Sequence, residues 1–564
     1  MPATASAWSS RKAWLLFAIL LFAYGWLFNW SESLNNPNEM VRVYTVRAMV
    51  EQHNYSIGTR DERGNDSGPI YSQWGYVNDK ALVCNNPAEK PPHCAGKLYA
   101  AKAPGMMFLG FFPHALLRGI WQRAGWGQPS KAAVVWWLRF SCVIIPSIFA
   151  WLWLRRHLAS RLVTPGLAII AVLAAALGSL SLTYGQMFAG HQVCGLALLL
   201  AFGAAVSAGD RSNGGPVALA GFAAASAIAI EFTAAPPAIL LVLWLLTRRR
   251  QIRDIAWISL GALLPTLLLA HGNWRAFGAP WHLSYAHLEN PEFVRDMAPG
   301  IFGFHLPTAD KVTGSLISPF TGLFFWAPWM LFLALFPLVF RRPPTAKPSA
   351  SWLMDRRGEA GIALFICLYF LAFQCSHSLW RGGWVVGPRY ITAMVPFAAI
   401  VCAHALDALP ALPQRVIVPI FAAFALTAIC VTGLASAVSQ GFPLEVYNPL
   451  PEVVGPLLSH GWVSNNLAMH WKIAGLYSGV PYLAALLGGG IWLSLSASVG
   501  QSLRGKIGTT AVIISIFAAS TTALWRIDGG RTQDDRDGTV RFLMRMWTPP
   551  EPSGARKLAE ILKK

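Results

Sequence analysis

Long apolar segments separated by short polar ones run along most of this chain. The apolar segments lie at residues 13–30, 133–153, 163–183, 192–208, 215–231, 234–247, 255–271, 318–340, 359–376, 390–408, 415–435, 479–497 and 508–525. Most of them have the roughly 17–25 residues that a helix needs to cross the hydrocarbon core of a bilayer. The pattern therefore predicts an all-α polytopic membrane protein with about thirteen transmembrane helices.

Composition agrees with a chain whose solvent is mostly lipid. The 564 residues are 54% hydrophobic and only 13% charged, and the 25 tryptophans suit the aromatic belts of membrane interfaces. The formal net charge of +19 could suggest a nucleic-acid ligand, but the basic residues lie in short clusters between apolar segments. Such clusters are typical of cytoplasmic loops and of contacts with anionic headgroups. We therefore expect membrane lipids, and no nucleic acid, as partners.

The basic clusters also predict how the helices are oriented. Arg11 and Lys12 precede the first apolar segment and place the N-terminus in the cytoplasm. The stretch 105–117 is apolar but short, and if it crossed the membrane the cluster at 155–161 would lie outside. Treating this stretch as an amphipathic helix in the membrane plane places every major cluster inside. These clusters begin at Arg155, Arg248, Arg341, Arg356, Arg415 and Arg504.

This topology divides the chain into five parts. Residues 1–30 hold the N-terminus and the first helix, and residues 31–132 form an external loop with interfacial helices. The main transmembrane bundle covers 133–435, and 436–525 contains an external loop and the last two helices. Residues 526–564 form an external polar, Gly-rich tail that is expected to be loosely ordered.

Two of the eight cysteines lie in the polar first loop. Cys84 and Cys94 would form a disulfide if this loop faces an oxidising compartment, and otherwise they are free thiols. The pair lacks His or Cys partners at the spacing of a zinc site, so no metal is predicted there.

Conspicuous polar residues gather at the external ends of the predicted helices. Ionisable residues at membrane depth are costly and usually line cavities, so a ring of them predicts an external active site at the membrane boundary. The ring consists of Glu39, Arg42, Lys80, Lys102, Arg139, Tyr184, His191, Glu231, His271, Asn273, His282, Tyr285, Arg381, Arg389 and Tyr390.

Single members of this ring also have purely structural interpretations. Glu39 could cap the helix that starts near Pro37, because a carboxylate in the first turn favours the helix dipole. Arg139 could be an anchoring residue, and His191 could be a hydrogen-bonded packing residue. Glu231 needs a partner at its depth, for which Arg139, His191 or a substrate would serve.

The segment from Trp380 to Tyr390 is the strongest constellation after the first loop. Arg381 and Arg389 are separated by glycines and flanked by tryptophans, so their planar guanidinium groups can approach phosphate oxygens closely. A charged interfacial loop is the alternative. No P-loop motif occurs.

These residues together resemble the GT-C superfamily of integral-membrane glycosyltransferases, and most of all the bacterial relatives of protein O-mannosyltransferases and of the lipid A aminoarabinose transferase. The resemblance covers about residues 13–400 and is moderately specific as a set. It rests on Asn38-Glu39 after the first span, Lys102 to Gly105, Arg139, Tyr184 to His191, Asn273 to Gly278, and Trp380 to Tyr390.

The resemblance implies a GT-C-type helical bundle in the bacterial inner (plasma) membrane, with its active site on the periplasmic side. Such enzymes transfer a sugar from a polyprenyl-phosphate donor, and the acceptor would be a lipid, a glycan or a protein. Glu39 would be the general base, and the donor phosphate would be held by Lys80, Lys102, Arg381 and Arg389. Supporting positions would be Arg42, Arg139, Tyr184, His191, Glu231 and Asn273.

The chain departs from the family pattern at one position of the first loop. The family commonly has an acidic pair where this chain has Asn38-Glu39, which leaves a single carboxylate. A single base suffices for an inverting displacement, so no cofactor is expected, and a divalent metal is possible but unsupported. Competing functions are a transporter or flippase of a lipid-linked saccharide, an oligosaccharide ligase or polymerase, and a non-catalytic scaffold.

Overall fold

The computed structural model describes residues 10–30, 36–209, 213–249, 251–300, 303–340 and 350–546. Some features noted in the sequence lie outside these described residues. They are Ser31 at the start of the external loop, Arg250, the Arg341-Arg342 cluster and the end of the tail at 547–564.

The described part of the chain is mainly helical. Its α-helices are, in chain order, α1 (Ser10–Gly25), α2 (Pro37–Glu51), α3 (Pro69–Trp74), α4 (Gly105–Arg123), α5 (Lys131–Arg139), α6 (Ile145–Arg161), α7 (Leu167–Leu177), α8 (Leu180–Tyr184), α9 (Gly190–Gly209), α10 (Gly215–Ile230), α11 (Ala235–Arg249), α12 (Arg253–Phe277), α13 (Pro291–Met297), α14 (Ala309–Ile317), α15 (Leu323–Trp326), α16 (Ala350–Ser376), α17 (Val395–Asp407), α18 (Ala411–Val438), α19 (Gly455–Ser459), α20 (Val480–Ala497), α21 (Leu503–Arg526) and α22 (Gln533–Met546).

Shorter helical turns connect several of these elements. A π-helical turn at Phe140–Ile144 joins α5 to α6, and a second one lies at Leu450–Val454. The 3-10 segments are Phe232–Ala234, Ser284–His287, Pro328–Phe340, Arg389–Met394, Leu467–Trp471 and Gly475–Gly479.

Within the described ranges, eight helical segments are long and apolar enough to cross a membrane. They are Lys131–Arg161, Gly190–Gly209, Arg253–Phe277, Arg356–Ser376, Arg389–Asp407, Ala411–Val438, Gly475–Ala497 and Leu503–Arg526. Leu167–Leu177, Gly215–Ile230 and Pro328–Phe340 are shorter apolar helices. The multi-pass character predicted from sequence is therefore present, and the number of about thirteen crossings stays a prediction.

Burial sorts these helices into central and peripheral ones. The apolar window that contains α17 is 94% buried inside the protein, whereas those of α12 and α21 are only 11% buried. A helix that is apolar all round and exposed on most of its surface needs a lipid environment. We therefore assign α12 and α21 to the lipid-facing periphery of the bundle.

The first loop contains a small antiparallel sheet that the sequence analysis did not predict. Its strands are β1 (Gly58–Arg60), β2 (Asp66–Ser67), β3 (Lys80–Cys84) and β4 (Gly96–Ala100), in the spatial order β2-β1-β4-β3. In the β3–β4 hairpin Lys80 lies opposite Ala100, and Cys84 lies opposite Gly96. A disulfide joins Cys84 to Cys94, so the pairing left open by the sequence is formed.

The stretch 105–117, predicted as an interfacial helix, lies within α4. Gly105 opens this helix where a Cβ atom would come within 2.5 Å of the backbone of Ala229, so only glycine allows this close approach. The outer face of α4 carries exposed apolar side chains, with Phe112 77% and Leu116 56% exposed. Such a face suits contact with lipid, and the orientation of α4 in the membrane plane stays a prediction.

The expectation of a loosely ordered tail is wrong for residues 533–546, which form α22. The helix begins with Asp534 and Asp535, whose charges favour the positive end of the helix dipole. Val540 and Leu543 are buried, and an ion pair of 2.6 Å joins Arg531, just before the helix, to Glu452 of the π-helical turn Leu450–Val454. Apolar burial and this ion pair order a segment that is polar on average.

Charged side chains form a compact group at one end of the bundle, which we call the closed cluster (His157, Arg161, Arg356, Glu359, His404 and Asp407). Arg161 lies about 33 Å along the helical segment Lys131–Arg161 from Arg139, at 1.5 Å per residue. This separation is close to the thickness of a bilayer's hydrocarbon core. Arg139 and the closed cluster therefore mark the two ends of the membrane-spanning part.

Candidate active site

A cavity of about 1040 Å³ lies at the Arg139 end of the bundle. It is bounded by the start of α2, the β3–β4 hairpin, the starts of α9 and α11, the connection after α12 and the segment after α16. Its cationic lining residues are Lys102, Arg139, Arg381 and Arg389, and its carboxylate lining residues are Asp79, Glu231, Glu292 and Asp296. Of the fifteen residues of the predicted ring, eight line the cavity and seven do not. The eight are Lys102, Arg139, His191, Glu231, Tyr285, Arg381, Arg389 and Tyr390.

The first turn of α2 sends its two polar residues in different directions. Asn36 caps this helix by accepting a hydrogen bond of 3.0 Å from the Asn38 amide, and Pro37 occupies the first turn. Successive helix residues point about 100° apart, so Asn38 and Glu39 cannot face the same side. Asn38 lines the cavity, whereas Glu39 points into the protein core and is 1% exposed.

Glu39 forms a bidentate ion pair with Arg139. The two carboxylate oxygens accept hydrogen bonds of 2.7 and 2.6 Å from the guanidinium group, and the Phe188 amide donates a further one at 2.6 Å. In this arrangement the carboxylate is fully engaged and does not reach the cavity. The structure thus gives Glu39 a structural role, and its role as general base stays a prediction that requires release from Arg139.

Arg42 links Asn38 to Glu231 behind the cavity wall. Its guanidinium group is completely buried and donates to the Asn38 carbonyl at 2.8 Å, to the Asn38 side-chain oxygen and to Glu231 at 2.7 Å. Glu231 follows the last residue of α10 and lines the cavity, with His191 3.9 Å away. The partner of Glu231 is therefore mainly Arg42, which the sequence analysis did not consider.

The β3–β4 hairpin brings Asp79 beside Lys102. Asp79 immediately precedes β3 and Lys102 follows β4, and the Ala101 amide donates a hydrogen bond of 2.9 Å to the Asp79 carbonyl. The Asp79 carboxylate and the Lys102 ammonium lie 3.2 Å apart, and both residues line the cavity. Strand pairing therefore builds this ion pair from two residues that are distant in sequence.

Burial and neighbouring charges act on the Lys102 ammonium in opposite directions. Burial lowers the pKa of Lys102, the Asp79 carboxylate partly offsets this effect, and Arg389 and Arg42 add to the lowering. The ammonium is therefore less stable than that of a solvent-exposed lysine. An additional anion in the cavity would stabilise it, which favours binding of a phosphate group.

Lys80 departs from its predicted place at the donor phosphate. Its ammonium group is 1% exposed, pairs with Asp66 and lies 4.2 Å from the ring centroid of Tyr76, away from the residues that line the cavity. Asp79 lies in the turn before β3 with a left-handed backbone, whereas Lys80 is the first residue of β3, so the two side chains point in different directions. Lys80 therefore stabilises the sheet in this structure.

Arg381 and Arg389 of the Trp380–Tyr390 segment both line the cavity, and their contact with a donor phosphate stays a prediction. Arg381 donates a hydrogen bond of 2.7 Å to the Leu444 carbonyl, and Arg389 donates one of 3.2 Å to the Tyr390 hydroxyl. Within the described ranges neither guanidinium pairs with a carboxylate at salt-bridge distance. Their remaining donors are therefore available to an anion in the cavity.

The other supporting residues hold the wall of the cavity. The Tyr184 hydroxyl donates to the Val386 carbonyl at 3.1 Å, and the Asn273 side chain donates to the Pro280 carbonyl at 3.1 Å. Neither side chain lines the cavity. His191 does line it and packs edge-on against Tyr390 with ring centroids 5.7 Å apart.

Sequence reasoning missed several residues of the lining. Asp79 was not among the candidate site residues, and neither were Glu292 and Asp296 on α13. The Asn78-Asp79 dipeptide is a turn signal before a strand, and it could have indicated the hairpin. No sequence signal places α13 over the cavity.

Metal-binding geometry is not evident in the part of the chain that the structure describes. No group of three or more His, Cys, Asp or Glu side chains lies close enough there to hold a metal ion. Metal independence stays a prediction.

No protein-family model matches this chain, and no curated protein matches it in sequence. Solved structures to which it is similar include ArnT from Cupriavidus metallidurans bound to undecaprenyl phosphate, with 15% identity over 93% of this chain and 77% of that chain and a TM-score of 0.45. The same protein in the apo state gives 14% identity over 92% and 77% and a TM-score of 0.41. Arabinosyltransferase EmbB from Mycobacterium smegmatis gives 14% identity over 93% of this chain but only 41% of that chain, with a TM-score of 0.42. At this level of overlap, function has to be argued from the cavity itself.

Proposed function

We propose that this protein is a membrane glycosyltransferase that transfers a sugar from a polyprenyl-phosphate donor to an acceptor at the external face of the membrane. One observation carries the proposal. Lys102, Arg381 and Arg389 converge on a large cavity at one end of a membrane-type helical bundle, and Arg381 and Arg389 have no carboxylate partner among the described residues. Such a site suits a ligand that combines a phosphate group with an apolar chain.

The cavity has room and walls for both parts of such a donor. Its volume of about 1040 Å³ lies at the upper end of the range of small-molecule sites. Leu283, Leu288, Phe293 and Met297 offer apolar surface for an isoprenoid chain, and Trp380 offers a ring face for a sugar.

The chemistry of transfer matches the charges of the lining. When the anomeric carbon changes partners, its bond to the phosphate oxygen breaks and negative charge grows on the departing phosphate. Lys102 and Arg389 would stabilise that charge, and a carboxylate would take the proton of the acceptor hydroxyl. The GT-C-like motifs of the sequence support the same assignment of the cations. The carboxylate has two candidates, which are Glu39 from the sequence and Asp79 from the geometry of the cavity.

The test is sugar transfer by the purified full-length protein in lipid nanodiscs. The reaction would contain a panel of polyprenyl-phosphate-linked hexoses and pentoses with a membrane extract as acceptor source, and released polyprenyl phosphate would be measured. Lys102→Gln should lower the rate by roughly 100-fold or more, because loss of one donor to developing negative charge typically costs this much.

Lys97→Gln is the matched control, because Lys97 lies on the same hairpin but is exposed and outside the cavity. It should keep the wild-type rate. Absence of transfer from every polyprenyl-phosphate sugar, or movement of intact donor across proteoliposomes without cleavage, would contradict the proposed function. Undiminished transfer by Lys102→Gln would contradict the phosphate site.

A further inference from the structure

We propose that Asp79 is the catalytic base of the transfer and that the donor phosphate releases it by drawing Lys102 away. This inference rests on the proposed function, and it replaces the base expected from the sequence with a residue chosen from the geometry of the cavity.

Position separates Asp79 from the other carboxylates of the cavity. Asp79 lies 3.2 Å from Lys102, which is one of the cations proposed to hold the donor phosphate. A base must lie within a few ångströms of the acceptor hydroxyl, and that hydroxyl must lie next to the anomeric carbon that carries the phosphate. A carboxylate beside the phosphate-binding cation satisfies this requirement. Glu292 and Asp296 lie on α13, and Glu292 is solvent-exposed.

The engagement of the remaining carboxylates argues in the same direction. Glu231 is tied at 2.7 Å to the fully buried Arg42, which would lose its only carboxylate partner within the described residues if Glu231 took a proton. Glu39 is tied to Arg139 by two hydrogen bonds and to a backbone amide by a third. Among the described residues, Asp79 has only the flexible Lys102 ammonium as a charged partner at ion-pair distance, and its side chain is 13% exposed. Its carboxylate can therefore be freed at a lower cost than those of Glu231 and Glu39.

The backbone of Asp79 is held in an uncommon conformation at this point. Its φ angle is +63°, in the left-handed region that non-glycine residues rarely adopt. The Asn78 side-chain oxygen accepts a hydrogen bond of 2.9 Å from the Asp79 amide, and the Ala101 amide donates to its carbonyl. Non-glycine residues in this region tend to cluster at active sites, where the surrounding structure holds them. The turn thereby directs the carboxylate into the cavity.

Binding of the donor can convert Asp79 from a carboxylate that is ion-paired with Lys102 into an unpaired one. Without the donor, the Lys102 ammonium has Asp79 as its nearest anion. A phosphate that also contacts Arg389 is a stronger partner for this ammonium than one carboxylate, since it offers several acceptor oxygens. Donor binding would therefore shift Lys102 towards the phosphate and leave Asp79 free beside the acceptor.

The chemical step is then balanced without any further reactant. The acceptor hydroxyl gives its proton to the Asp79 carboxylate, and its oxygen forms a bond to the anomeric carbon. The bond from that carbon to the phosphate oxygen breaks, and its electron pair stays on the polyprenyl phosphate, whose added charge is held by Lys102 and Arg389. Protonated Asp79 passes its proton to water after the products leave, and Lys102 returns to it.

The experiment compares Asp79→Asn with Glu39→Gln in the full-length protein, measuring both transfer and donor affinity. Asparagine fits the left-handed conformation, so the hairpin should be preserved. We expect Asp79→Asn to lower kcat by at least about 100-fold, which is the usual effect of losing a general base. Donor affinity should stay unchanged or increase by a few-fold, because Lys102 no longer has a competing anion.

Glu39→Gln should lower the melting temperature, because it leaves the buried Arg139 guanidinium without its carboxylate partner. Lys97→Gln, outside the cavity, should again keep the wild-type kcat. A lower kcat together with an undiminished donor affinity in Asp79→Asn is a result that a purely structural role of Asp79 would not produce. Transfer by Asp79→Asn above one tenth of the wild-type rate, or loss of kcat in folded Glu39→Gln with Asp79→Asn unaffected, would overturn the inference. An inactive wild-type protein would instead contradict the proposed function, so the two failures are distinguishable.

Discussion

The two charged ends of the bundle contain similar side chains but use them differently. In the closed cluster, Glu359 is fully buried and accepts hydrogen bonds or ion pairs from His157 at 3.1 Å and Arg161 at 2.9 Å. Asp407 accepts from two backbone amides and pairs with Arg356 at 3.3 Å. At the other end, Arg381 and Arg389 face a cavity of about 1040 Å³, and neither has a carboxylate partner among the described residues. In the closed cluster the carboxylates are paired within the protein, whereas at the cavity end the two guanidinium groups are open to a ligand.

This difference distinguishes a structural role from a functional one better than burial or charge alone. A buried ion pair whose members satisfy each other fixes the arrangement of helices, and its loss leaves an uncompensated charge. A cation that faces a cavity keeps donors free for a substrate, and its loss should alter binding or rate more than folding. Glu39 and Arg139 show that both kinds occur at the cavity end, since this pair resembles the closed cluster in its mutual saturation.

The largest effect is expected when the closed cluster is broken. Arg356→Gln leaves the buried Asp407 without its cation, and removal of one partner from a buried pair typically costs about 3–5 kcal/mol of unfolding free energy. The melting temperature in detergent should therefore fall strongly, while the transfer rate per folded molecule should equal that of wild type. Thermal denaturation followed by tryptophan fluorescence, with activity corrected for the folded fraction, checks both points.

Arg415→Gln is the control for this experiment, because Arg415 is an exposed arginine at the start of α18. It should leave the melting temperature within about one degree, since surface charges contribute little. An unchanged melting temperature of Arg356→Gln would mean that the closed cluster does not stabilise the bundle. The two ends would then not differ in the structural role of their charges.

The sequence was sufficient to predict the mainly helical, multi-pass character of the chain and several cations that line the cavity, because these depend on local composition. Apolar runs define the helices, and the Gly-rich segment with Arg381 and Arg389 carries its chemistry within a few residues. The direction of Glu39 was not predictable in the same way. It depends on the residue at which α2 begins, because a shift of the helix start by one residue would exchange which of Asn38 and Glu39 faces the cavity.

The Asp79–Lys102 pair was beyond prediction for a different reason. Its two members are brought together by a hairpin whose strands are short, and short strands in a polar loop give a weak pattern of alternation. The basic residue next to Asp79 in sequence, Lys80, was the natural partner to consider, but its side chain points in a different direction. Non-local strand pairing thus determined the feature on which the proposed catalysis rests.

An intermediate effect is expected from the disulfide that closes the β3–β4 hairpin at the cavity end. A crosslink over a loop of this length restricts the unfolded state by about 2–3 kcal/mol. The double variant Cys84→Ser/Cys94→Ser should therefore expose the hairpin to protease and weaken donor binding, because the hairpin positions Lys102. Limited proteolysis and donor titration of this variant measure the two effects.

The buried cysteines Cys367 and Cys402 provide the control for the disulfide, because they are free thiols in the helical core. Their replacement by alanine should not increase cleavage in the first loop. If the hairpin stayed protease-resistant in the double serine variant, strand pairing alone would hold Lys102 in place, and the covalent link would have no role at the cavity.

The smallest effect concerns the pH dependence of donor binding, which tests whether the Lys102 ammonium group binds the donor phosphate. Burial lowers the pKa of Lys102, and the charges that face it are Asp79, Arg389, Arg42 and Glu231. Phosphate binding needs the ammonium form, so the affinity for donor should fall as the pH rises through this lowered pKa, by at most about tenfold per pH unit.

The contribution of Lys102 to the free energy of unfolding should change in the opposite direction. Between the lowered pKa and the usual lysine value the unfolded chain binds more protons, so the contribution of Lys102 to the unfolding free energy rises with pH.

Lys102→Arg separates these two effects, because arginine stays charged throughout the accessible range. The variant should bind donor with an affinity that is nearly constant from pH 7 to about pH 9.5, whereas the wild-type affinity declines at the alkaline end. Titration of both proteins with polyprenyl-phosphate sugar at several pH values measures the difference. Parallel curves for the two proteins would mean that another group controls donor binding. In that case Lys102, although it lines the cavity, would act only as the ion-pair partner of Asp79.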